Sequence, residues 1–185
     1  MQVPLLVDDF LRRAARIYPG KTAIVDGDQR FTYAQYQQRV NQLAHALRRC
    51  GVGKGDRVCM LSPNSHFFLE SFYATSQIGA VLVPLNYRLT PEEHRFIIAH
   101  ATVKVVLADS EYTAAIDAIR AQLPSVQQWI VASADSTRRA GWTDWEQLIA
   151  DMPVEAPPPP ERDENDLVSI NYTSGTTARP KGVML

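Results

Sequence analysis

From Thr173 to Gly182, four hydroxyls, two glycines and two cations fall within ten residues, and Ala178 and Pro180 are the only others. A polyphosphate needs that mixture. Glycine lets a backbone come close, N–H and O–H groups donate to phosphate oxygens, and a long cation neutralises charge. The run follows a short apolar stretch, 167–170, that reads as a strand. Composition alone also fits a turn with a solvated lysine. The common nucleotide loop, Gly-x-x-x-x-Gly-Lys-Ser/Thr, is excluded: it requires a glycine where Pro180 stands and a hydroxyl where Gly182 stands.

Other chemistry-bearing residues are sparse. His45, His66, His94 and His100 are scattered, and surface or boundary positions are expected for them. Cys50 and Cys59 lack metal spacing. No Gly-x-Ser-x-Gly elbow is present, which argues against a serine hydrolase. Trp129, Trp142 and Trp145 are expected to pack rather than to bind. Asn86-Tyr87-Arg88 follows a strand, where open α/β sheets place ligands. The glycines at 51, 53 and 55 follow a helix and lead into a strand, the reverse of a dinucleotide fingerprint, and read as a turn.

The elements that must position the hydroxyl-rich run follow from periodicity and punctuation. Residues 5–17 predict an amphipathic helix with Leu6, Phe10, Ala14 and Ile17 on one stripe. Asp26-Gly27 marks a hairpin. Thr32 and Gln35 form a capping box for a helix over 33–49, with Tyr36, Val40, Leu43 and Leu47 inward. Helix and strand then alternate. A strand is predicted over 57–61, a helix over 65–78 with Phe68, Phe72 and Thr75 inward, and a strand over 80–83 closed by Pro84. A helix over 91–100 opens on the Thr90/Glu93 box, followed by a strand over 103–108, a helix over 112–122 and a strand over 126–131. A short helix ends at Ala150, boxed by Thr143 and Glu146. Such alternation implies an α/β fold, a largely parallel sheet flanked by helices on both faces, with the N-terminal helix and hairpin as an embellishment. Residues 151–166 carry five prolines with several acids and predict an exposed, extended tether. The expected organisation is an N-terminal α/β subdomain over 1–150, a Pro-rich acidic linker over 151–166, and a strand with a phosphate-binding loop over 167–185.

With 185 residues, 45% hydrophobic and 21% charged, the composition is that of an ordinary globular chain. A formal net charge of −1 creates no field favouring nucleic acid or an anionic membrane. No apolar run reaches the length of a membrane span, and Asp8 and Asp9 interrupt any signal sequence, so a cytoplasmic location is expected.

The order hydroxyls, glycine, then Pro180-Lys181-Gly182 resembles the phosphate loop of the adenylate-forming (AMP-binding) enzymes: acyl-CoA synthetases, peptide-synthetase adenylation domains and luciferases. Phe31-Thr32-Tyr33, the lead 51–58 and the segment 77–86 resemble other shared segments of that family in the same order. Residues 84–89 look more like acyl-CoA synthetases, the group that includes fatty-acid–CoA ligases, than like peptide-synthetase domains. Ala178 departs, standing where the family commonly has glycine.

The resemblance implies joining of a carboxylic acid, a fatty acid first among the candidates, to AMP from ATP, followed by transfer to coenzyme A, with Mg²⁺ required. It implies that Lys181 pairs with the pyrophosphate end of ATP, and that Ser174, Gly175, Thr176 and Thr177 donate to the β- and γ-phosphates. Thr173 is implied as the hydroxyl near Mg²⁺. The family's adenine and ribose segments, most of its acyl pocket and its catalytic lysine are expected in a remainder of the parent chain. No catalytic residue is therefore expected within these 185 residues, which alone should be inactive. The alternative is a non-catalytic remnant or binding module that keeps only the phosphate loop.

Overall fold

The alternation of strand and helix expected from the sequence is realised. The structure, a computed structural model, describes residues 5–133, 139–173 and 180–185. The chain opens with α1 (Val7–Ile17), the hairpin β1 (Thr22–Asp26) and β2 (Gln29–Thr32), and α2 (Tyr33–Arg49). There follow β3 (Arg57–Leu61), α3 (His66–Gln77), β4 (Val81–Leu85), α4 (Pro91–His100), β5 (Val105–Asp109), α5 (Thr113–Asp117), β6 (Gln128–Ala132), β7 (Thr143–Asp144) and α6 (Trp145–Ala150). A second hairpin, β8 (Ile170–Thr173) and β9 (Lys181–Met184), completes the described elements.

Five strands form one sheet in the order β4-β3-β5-β6-β7, with every neighbouring pair parallel. Both faces are buried, because side chains alternate across a strand and each face has its own helices. Val58, Met60, Leu82, Val105, Leu107 and Ile130 face α2, α3 and α6. Cys59, Leu61, Val83, Leu85, Val106 and Val131 face the other way, toward Ile97 and Ile98 of α4 and Ile116 of α5.

Local punctuation works largely as expected. Both capping boxes, Thr32/Gln35 and Thr90/Glu93, are formed. Gly27 takes a positive φ of 55° in the two-residue turn between β1 and β2. The stretch 51–55 is a turn between α2 and β3, and all three tryptophans are buried.

Several expectations are corrected. On α1 the inward residues are Asp8 and Leu11, while Phe10 and Ile17 are exposed. The helix is turned by the buried ion pair of Asp8 with Arg162, which outweighs the apolar stripe. On α3, His66, Phe67, Glu70, Ser71 and Ala74 face inward, and Phe68 and Phe72 are only half-buried. The surface or boundary expectation fails for two histidines. His66 is buried because Asp26 on the first hairpin accepts from its backbone N–H and meets its Nδ1 at 2.6 Å. His94 is buried on the opposite face.

Pro84 does not close β4 but sits within it, paired with Met60. Val81 N–H points to Asp56 and Leu82 N–H to Val168, so even-numbered positions face away from β3. A missing N–H at Pro84 therefore costs the β3–β4 ladder nothing. The helix expected over 112–122 is broken into a 3₁₀ turn, α5 and a second 3₁₀ turn. Tertiary ties override local propensity there. Asp117 accepts from Trp142 Nε1 at 2.9 Å, and Arg120 donates to Gly141 O while its guanidinium lies over Trp129 and Trp142. The cap of α6 is Asp144, whose Oδ1 accepts from Gln147 N–H at 2.8 Å, not Thr143, and Glu146 is drawn to Arg39.

The proline-rich stretch 151–166 is mostly exposed, as a tether should be, yet it is fastened. Its carbonyls accept from Asn41 and Arg48 of α2 and from Lys54. The Arg162–Asp8 pair clamps its far end to α1. Polyproline geometry leaves carbonyls free for such side-chain donors.

Candidate functional site

β8 is fed by this strap onto the free edge of β4. Leu82 N–H donates to Val168 O at 3.0 Å, and Leu82 and Ser169 bridge in parallel. In that register Thr173 stands level with Asn86, just past the carboxyl end of β4. The hydroxyl-rich run thus begins at the edge of the sheet where open α/β folds bind ligands.

β9 returns antiparallel, pairing Ile170 with Met184, Asn171 with Val183, Tyr172 with Gly182 and Thr173 with Lys181. Directly opposed residues point to the same face. Thr173 and Lys181, eight apart in the sequence, therefore lie side by side at the mouth of the hairpin, and both are exposed. Ile170 and Tyr172 point the other way, onto the core under α4. Gly182 is required by close approach: a Cβ there would lie 2.9 Å from Ile170 Cγ2 and 3.2 Å from Tyr172 Cζ.

Of the residues singled out from the sequence, Thr173 and Lys181 are thus brought together. Ser174, Gly175, Thr176 and Thr177, with Ala178 and Arg179, lie outside the described residues. Asn86, Tyr87 and Arg88 form a braced turn at the same end of the sheet. Asn86 Oδ1 accepts from Arg88 N–H at 3.0 Å, Tyr87 packs on Tyr112, and Arg88 lies over the Tyr87 ring. Burial lowers the His94 pKa and keeps the ring neutral, so Nε2–H donates to Asn86 O at 3.0 Å.

Two contributors escaped the sequence reading. His100, the last residue of α4, meets Tyr172 Oη through Nδ1 at 2.6 Å. His94 braces the turn from the buried side. Neither carries a local signal, since a lone histidine on a helix announces no partner.

Among the described residues no cluster of three or more His, Cys, Asp or Glu side chains is arranged to hold a metal. Mg²⁺ carried by a phosphate ligand takes hard oxygen donors and needs only one or two from the protein. Thr173 supplies one exposed hydroxyl oxygen at the hairpin mouth. No helix among the described residues is long and apolar enough to cross a membrane.

Comparison with known proteins bears on this geometry. Residues 11–185 match the family model described as AMP-binding enzyme. The chain is 37% identical to 4-hydroxybutyrate–CoA ligase 2 of Metallosphaera sedula, over 98% of this chain and 33% of that protein. It is 38% identical to a long-chain-fatty-acid–CoA ligase of Thermus thermophilus, over 95% of this chain and 32% of that protein. The crystal structure of the anthranilate CoA ligase AuaEII in complex with anthranoyl-AMP superposes with a TM-score of 0.94 at 28% identity, over all of this chain and 35% of that one. The chain spans about a third of the length of the relatives it matches. With a family match over nearly its whole length and the expected fold in place, the chain belongs to the AMP-binding enzyme family, whose matching relatives are acyl-CoA ligases.

Proposed function

We propose that these residues are the amino-terminal part of an ATP-dependent acyl-CoA synthetase, and that the β8–β9 hairpin grips the pyrophosphate end of ATP. The observation that carries this reading is the side-by-side placement of Thr173 and Lys181 at the carboxyl edge of the sheet. A carboxylate oxygen of the acid attacks the α-phosphorus in line. The bond to the bridging oxygen breaks, and pyrophosphate leaves with the developing negative charge. Lys181 meets that charge as a point cation, and Ser174, Gly175, Thr176 and Thr177 donate to the β- and γ-phosphates. Thr173 is the hydroxyl offered to Mg²⁺, which shields phosphate charge when bound. The sulfur of coenzyme A then attacks the acyl carbon, the thiol loses its proton, and the acyl–phosphate bond breaks to release AMP.

Three relatives act, by name, on a hydroxy acid, a long-chain fatty acid and an aromatic acid. A fatty acid is our first assignment for this chain, supported by its likeness to the long-chain-fatty-acid–CoA ligase. We retain the boundaries 1–150, 151–166 and 167–185, and a cytoplasmic location suits an ATP-dependent enzyme with free cysteines. Exposed Val183, Met184 and Leu185 support packing of further protein beside β9. The 185 residues alone should form no acyl-adenylate.

The test is Lys181→Ala in the intact protein, assayed by acid-dependent exchange of pyrophosphate into ATP. A loss of about 10²–10³-fold is expected, as for removal of one charge-stabilising donor. Unchanged exchange would remove Lys181 from the site.

A further inference from the structure

We infer that His100 is a positioning residue for the nucleotide hairpin: its imidazole holds Tyr172, and Tyr172 holds the strand register that sets Thr173 against Lys181. The inference rests on the reading of that hairpin as the ATP site.

Three features make the contact a built one. His100 Nδ1 and Tyr172 Oη are 2.6 Å apart, and the two rings meet edge to face at 5.8 Å. The imidazole stacks on Phe96, one turn earlier on α4, at 5.4 Å and 25°. α4 itself is rigidly seated, with its first turn closed by the Thr90/Glu93 box and Ile97 and Ile98 in the core. Burial raises the Tyr172 pKa, so the phenol keeps its proton beside Nδ1.

The hairpin needs such a tie. β8–β9 is a two-stranded ribbon, and a ribbon of this kind is marginal by itself. It joins the larger sheet through the contacts of Leu82 with residues 168 and 169. Register carries the function here, because a slip of one residue moves Lys181 to the opposite face. The Tyr172 ring sets the register by lying over Gly182, where no Cβ fits. A slip would bring the side chain of Lys181 or Val183 under that ring. By fixing the ring from α4, His100 resists the slip across 72 residues of sequence. His100 touches no reacting atom; it acts through Tyr172.

The experiment uses the intact protein with His100→Ala, Tyr172→Phe, the double variant and His100→Asn, whose amide oxygen falls at the Nδ1 position. Kinetics of pyrophosphate exchange are read for ATP and for the acid separately, beside a crystal structure of the wild type. Each single variant should raise the KM for ATP about fivefold, the loss of one hydrogen bond. The kcat and the KM for the acid should stay within about twofold. The double variant should be no worse than either single one, and His100→Asn should recover most of the loss. An unchanged KM for ATP, multiplying effects, or an equal rise in the KM for the acid overturns the proposal. So does a crystal structure with Nδ1 and Oη beyond hydrogen-bond reach. A wild type that exchanges no pyrophosphate with any acid while the Nδ1–Oη contact is intact overturns the functional reading first, and the role of His100 with it.

Discussion

Arg39→Met tests how the helical face of this fold is held. Arg39 on α2 reaches Glu70 on α3, Nε to Oε1 at 2.5 Å and Nη2 to Oε2 at 3.1 Å. The same guanidinium reaches Glu146 on α6, Nη1 to Oε2 at 3.0 Å and Nη2 to Oε1 at 2.6 Å. The Glu70 side chain is 0% exposed. Burial pushes its carboxyl above the usual range, and Arg39 pulls it back. Methionine keeps the apolar bulk and removes the cation, so the fold must keep Glu70 protonated. Each pH unit above an unfolded glutamate pKa of about 4.3 then costs about 1.36 kcal/mol. With the wild-type pair near break-even, the variant loses about 3.7 kcal/mol at pH 7 and about 2.3 at pH 6. The sign follows from proton counting: the folded variant binds a proton that the unfolded chain has released, so stability falls as pH rises. The wild type has the same sign with a shallower slope, because Arg39 opposes the rise. Urea titrations between pH 5 and 8, followed by tryptophan fluorescence, read both lines, since buried Trp145 neighbours Glu146. Adding Glu70→Gln should flatten the variant's pH dependence. Parallel lines for wild type and variant, or a loss under about 1 kcal/mol at pH 7, would refute the argument.

Two further outcomes are expected. Gly182→Ala places a Cβ 2.9 Å from Ile170 Cγ2, and should cost about 1–3 kcal/mol of stability and weaken ATP binding; Ile170→Ala in the same protein should recover part of both, and an unperturbed melting temperature for Gly182→Ala would show the contact is slack. Cys59, wholly buried with its thiol pushed up to about 12, should resist a disulfide reagent at pH 8 until urea is added, as read by peptide mass spectrometry; rapid native labelling would contradict its placement between β4 and β5.

Fold class was legible because it depends on local signals. Both capping boxes, the hairpin turn and the strand–helix rhythm are patterns within a few residues, and the parallel sheet follows from that rhythm. The hydroxyl-rich run stood out for the same reason: the residue types that our proposed phosphate grip would use stand close together in the chain. Tertiary structure decided what depends on distant partners. Phe10 was assigned to the core on spacing, but Asp8 turned α1 by pairing with Arg162. His66 and His94 looked like surface residues until Asp26 and the Asn86 carbonyl proved to be their partners. The break in the 112–122 helix comes from Trp142 and Gly141, over twenty residues away. Likewise the pairing of Thr173 with Lys181, and its support by His100, exist only because the strap returns β8 to the edge of β4. Periodicity reports which side of an element is apolar. A single buried hydrogen bond or ion pair, invisible to periodicity, sets which side faces inward, and backbone pairing with a distant strand sets where the β8–β9 hairpin is anchored.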